Sequence, residues 1–74
     1  MEQYYTMNNI MALSDMRNTY NSTVLFWKTA AINRVDIVKI GKHIVFPEHA
    51  KDVMVRELNI YAASHPKIRK DYVA

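Results

Sequence analysis

The chain has no cysteine, one glycine and two prolines among its 74 residues. Without cysteine, no disulfide or thiolate-bound metal can staple the fold, so a domain this small must hold by packing, or through an oligomer or partner. A single glycine, Gly41, excludes a glycine-rich loop that cradles phosphates. No apolar run approaches the roughly 20 residues that span a bilayer. The start, Met1-Glu2-Gln3-Tyr4-Tyr5, lacks the basic-then-apolar order of a signal peptide, so a cytoplasmic protein without membrane contact is expected. His43, His49 and His65 are the only histidines, and their spacing matches no compact metal motif. No Ser/His/Asp order and no carboxylate pair suited to acid–base work appears. These absences argue against an enzyme and against a bound metal or cofactor.

What is present is globular composition: 50% of residues are hydrophobic and 23% charged, unlike a disordered chain. The length allows one domain. A net charge of +3 fits a phosphate-rich partner without requiring one.

Along the chain, a first helix is expected over 7–13, with Thr6 as N-cap and Asn9 as a weaker capping-box partner than Glu. Met7, Ile10, Met11 and Leu13 supply its apolar side. Residues 14–21 read as a connector, with room for one helical turn around Met16, because Ser, Asp, Asn and Thr compete with helical hydrogen bonding. A second helix is expected over 22–32, capped by Asn21 or Ser22. Val24, Trp27 and Ala31, with Ala30 beside them, share the spacing of one buried face. A core role for Trp27 outweighs a base-stacking one. Leu25 and Phe26 fall off that face. They form either an exposed protein-interaction patch or, for Phe26, packing beneath the connector near Met16 and Tyr20.

Residues 38–46 read as a β-hairpin around Gly41, with β-branched residues in both arms. A two-residue loop would set Ile40 against His43. A three-residue loop sets Ile40 against Ile44 and Val38 against Phe46, gathering four apolar residues on one face, and is preferred on that ground. Pro47 then opens a third helix, whose face runs through Ala50, Val53, Met54, Glu57, Leu58 and Tyr61 until Pro66 ends it near Ser64. Residues 1–66 thus form the domain, and 67–74 a mobile basic tail.

The ordered set Tyr5-Thr6-Met7, Ser22-Thr23-Val24 with Trp27, and Val38-Lys39-Ile40-Gly41-Lys42 leading to Phe46-Pro47 resembles the small MerR-like helix-turn-helix domains of phage and mobile-element excisionases and related regulators. The resemblance covers about residues 4–58. It implies a small α+β winged helix-turn-helix fold, in the order helix, helix, β-hairpin, helix. It also implies a bacterial cytoplasmic or nucleoid protein that binds double-stranded DNA, as an excisionase-like architectural factor in DNA recombination or as a transcription regulator. An integrase or a homo-oligomer on DNA would be its partner.

Carried over, the second helix enters the major groove through Asn21, Ser22 and Thr23, with Lys28 further along and Arg34 just after it. Lys39, Lys42 and His43 belong to the wing. Leu25 and Phe26 stand where the family often places polar or basic residues. They motivate the alternative of a winged-helix interaction module, serving as accessory subunit of a replication, recombination or packaging enzyme.

Overall fold

Thr6 opens the first helix as its side chains dictate. Its Oγ1 accepts from the Asn9 amide at 3.1 Å, and its own amide donates to Asn9 Oδ1 at 3.0 Å, a closed capping box. In a computed structural model, which describes residues 3–73, the elements are β1 (Tyr4–Tyr5), α1 (Met7–Leu13), α2 (Tyr20–Asn33), β2 (Val38–Ile40), β3 (His43–Pro47), α3 (Glu48–Ser64) and a 3-10 turn over Pro66–Ile68. The architecture is small α+β, three helices with a three-stranded antiparallel sheet in the order β1-β3-β2.

The hairpin register differs from the expected one. Val38 pairs with Val45, Lys39 with Ile44 and Ile40 with His43, leaving the two-residue loop Gly41-Lys42. Gly41 has φ 61°, and no positive φ follows at Lys42. That is the pattern of a type II′ turn, which matches the twist of paired strands. β1, a strand absent from the sequence reading, takes part in setting the register: Tyr5 pairs with Phe46 and Tyr4 with Pro47. Directly opposed residues share a face and neighbours alternate. Phe46 therefore shares its face with Lys39 and Ile44, not with Val38 and Ile40. Of the four residues expected inside, only Phe46 is buried, and Ile40 and Ile44 are exposed.

The core gathers Ile10 and Met11 from α1, Met16 from the connector, Phe26 and Ala30 from α2, Phe46 from β3, and Ala50, Met54 and Leu58 from α3. Phe26 meets Phe46 edge-on, with centroids 5.3 Å apart and planes at 85°. α2 accordingly presents a different face from the expected one. Ser22, Phe26 and Ala30 point inward and Val24 is 52% exposed, whereas Trp27, 37% exposed, covers the edge of the core with its ring 5.2 Å from Phe26 and 5.7 Å from Phe46. Both sides of this helix are apolar, so periodicity alone could not choose between them. Phe26 takes the core between Trp27 and Phe46, edge-on to both rings. The helix also starts earlier than expected, at Tyr20, with Thr19 rather than Asn21 or Ser22 as its cap.

The segment after Pro66 is docked, not mobile. The Arg17 amide donates to the Ile68 carbonyl at 2.9 Å and the Lys70 amide to the Asp15 carbonyl at 2.8 Å. These bonds flank a bridge between Met16 and Arg69, where a helical turn was expected. Ile68 packs on the core. The boundary expected at residue 66 falls inside this docked strap; Ala74, the last residue of the expected tail, lies outside the described residues. Among the described residues, no helix is long and apolar enough to cross a membrane.

Candidate functional site

α2 and the hairpin that follows it carry most of the expected site. At the start of α2, Asn21 is exposed on the first turn. Ser22 is only 3% exposed; its amide donates to Thr19 Oγ1 at 3.3 Å and the two hydroxyl oxygens lie 3.1 Å apart. The Thr23 hydroxyl donates to the Thr19 carbonyl at 3.1 Å. Ser22 and Thr23 therefore serve the helix start, and of the three residues expected to reach outward only Asn21 does so.

Lys28 is exposed in the middle of α2, and Arg34 ends the helix in the left-handed region, φ 51° and ψ 43°. Arg34 also lines a cavity of about 260 Å³ with Trp27, Ala30, Ala31, Val35 and Ile37. Lys39 lies on β2, Lys42 in the turn and His43 at the start of β3, all exposed.

The charges are sorted. Residues 16–46 hold five of the ten Lys and Arg and one of the seven acidic residues. Among the described residues, Lys28, Arg34, Lys39 and Lys42 have no carboxylate partner. Lys51, Arg56 and Arg69 are each paired, with Asp52, Glu57 and Asp71. The one acid of the segment, Asp36, has its Oδ2 2.8 Å from His49 Nε2. The hydrogen bond to Asp52 raises the Lys51 ammonium pKa, and the one from Arg69 holds the Asp71 carboxyl below the ordinary value of 3.8. Of the cations without a carboxylate partner among the described residues, four thus lie on α2 and the hairpin; the others, Arg17, Lys67 and Lys70, lie on the connector and the segment after Pro66, where Arg17 and Lys70 donate to the Tyr72 and Ala12 carbonyls.

The Leu25–Phe26 patch does not exist as a surface. Phe26 is fully buried and Leu25 is half-buried against the core. The exposed apolar residues of α2 are instead Tyr20, Val24, Trp27 and Ile32. The signal that could have found them is the Ser22, Phe26, Ala30 stripe at spacings of four, whose single polar member disguised it as an outer face. Among the described residues, no three His, Asp or Glu side chains come together as a metal site. No protein-family model, curated protein or solved structure matches the chain.

Proposed function

We propose that the chain binds double-stranded DNA as a winged helix-turn-helix domain, with α1 and α2 as the helix pair, α2 in the major groove and the β2–β3 hairpin as a wing on the backbone. The observation that carries this reading is the set of unpaired cations, Lys28, Arg34, Lys39 and Lys42, on two consecutive elements from which carboxylates are nearly absent. Unpaired Lys and Arg suit phosphate contacts, which release counterions from the duplex. An α-helix of ordinary diameter fits a major groove about 12 Å wide. The resemblance to MerR-like domains adds the role: an excisionase-like architectural factor or small regulator of a phage or mobile element, with an integrase as the partner of the first case.

Four phosphate contacts predict an affinity that falls with salt on a log–log slope of about −3.6. Lys42→Ala should lower affinity on every duplex and reduce that slope by about one. Fluorescence anisotropy with a short labelled duplex, titrated over a range of salt, measures both. Absence of duplex binding at low salt would overturn the proposal.

A further inference from the structure

We infer that α2 recognises thymine methyl groups, so that this protein prefers duplexes rich in A·T pairs; the inference rests on the duplex-binding reading. The outward face of α2 is centred on Val24, with Tyr20 one turn before it and Ala31 after it; Trp27 borders it, its ring turned against Phe26 and Phe46. Tyr20, Asn21, Val24, Lys28 and Ala31 are all exposed, so this face is open along the helix. The polar side chains on it are Asn21 and Lys28. Ser22 and Thr23 are engaged with Thr19, and the Asn33 amide donates to the Thr29 carbonyl at 2.9 Å.

In the major groove, thymine alone offers an apolar group, its 5-methyl, while guanine and cytosine present acceptors and a donor. An apolar face strips water from two acceptors and a donor on either kind of pair and returns no hydrogen bond, so the methyl is what separates A·T from G·C. Laid over A·T pairs, it gains the company of the methyls. Asn21 on the first turn is of the residue type that bonds adenine N6 and N7.

A second protein is the competing occupant of an apolar helix face. The surrounding charge favours a polyanion. Lys28 lies on this face, Arg34 at its end and Lys39 and Lys42 beyond it, all without a carboxylate among the described residues, and Asp36 is engaged by His49. A duplex supplies the phosphates these cations lack, and its thymine methyls supply the apolar surface.

The test compares three short duplexes by anisotropy: alternating A·T, the same with deoxyuridine for thymidine, and alternating G·C. Exchanging thymine for uracil removes the methyl and keeps every hydrogen-bonding group. The A·T duplex should bind tightest, and the uracil duplex about three- to fourfold more weakly for each methyl that α2 would have covered. Val24→Ala, at an exposed site, should remove much of the difference between thymine and uracil. Lys42→Ala should weaken all three duplexes alike. Equal binding of the thymine and uracil duplexes by the unaltered protein overturns this inference and leaves duplex binding standing. No binding to any of the three at low salt overturns duplex binding itself. Self-association that Val24→Asp abolishes, without duplex binding, gives the face to a second copy and overturns both.

Discussion

Arg34 occupies the left-handed region with φ 51°, a conformation that costs a non-glycine residue on the order of 1 kcal/mol and that glycine adopts freely. Helices commonly end there on glycine, because the reversed backbone lets the last amides reach back to open carbonyls. Here the Arg34 amide serves the Ala30 and Ala31 carbonyls, so the cap itself needs no side chain. An arginine at such a position is costly to the fold, and among the described residues no carboxylate engages its guanidinium at the edge of the α2 cavity. Arg34→Gly should therefore raise stability by about 0.5–1 kcal/mol in urea unfolding while weakening duplex binding severalfold. Lower stability, or unchanged binding, would show that Arg34 caps and does nothing more. Phe26 makes the opposite case: Phe26→Ala should cost about 3–5 kcal/mol, enough to unfold much of a domain this small. The identity of such residues was legible in the sequence, but their direction was not. Val24, Trp27 and Phe26 are all apolar and lie within one turn of each other; Phe26 and Trp27 both meet Phe46, and the seat of α2 on the rest of the core buries the first and leaves the second at the edge.

At the scale of elements, α1, α2 and α3 stand where capping and proline signals put them, α1 to the residue and α2 within two residues at its start. Those signals are local, and so they survive without knowledge of the rest of the fold. The hairpin register depends on something non-local, the pairing of Tyr5 with Phe46, and a two-residue extension before α1 carries too little pattern to announce itself. The strap was illegible for the same reason. Its composition reads as a solvated tail, yet its backbone pairs with residues 15–17. Arg17 adds a guanidinium bond of 3.0 Å to the Tyr72 carbonyl and lies 5.6 Å from the centre of its ring. Within the strap, Arg69 Nε donates to Asp71 Oδ1 at 2.9 Å.

This pairing fixes a pH dependence. Arg69 holds the Asp71 carboxyl below its ordinary 3.8, so the folded state binds that proton less readily than the unfolded chain does. The stabilisation is complete above the ordinary value and is lost as pH falls below it, through the lower folded-state value. The protection factors of the Arg17 and Lys70 amides should be level from neutral pH down to about 4 and decline slightly beneath that, because an exposed pair contributes little. Arg69→Gln should remove this acid-dependent step. Fast exchange at both amides at neutral pH would mean that the strap is not docked in solution.

The whole molecule combines a small core with an uneven charge. Among the described residues nine form the core cluster, and no disulfide supports it, so its stability is expected to be modest. α2 and the hairpin carry four cations and no acid, and among the described residues no carboxylate pairs with them. Salt should then act on the free and the bound protein with opposite signs. In the free protein, salt screens the mutual repulsion of Lys28, Arg34, Lys39 and Lys42 and leaves Tm level or slightly higher. A duplex that binds only the folded state at a hundred times its Kd adds about 2.7 kcal/mol, a rise in Tm on the order of 10 °C or more for a chain of this size. Because affinity falls steeply with salt, that rise should shrink as salt is added, until the two melting curves coincide. Lys42→Ala, exposed at the turn, should leave the free curve in place and bring the curves together at lower salt. Thermal melts with and without a short duplex across a salt series measure this. A duplex-induced rise in Tm that does not diminish with salt would mean that phosphate contacts from α2 and the hairpin do not hold the complex together.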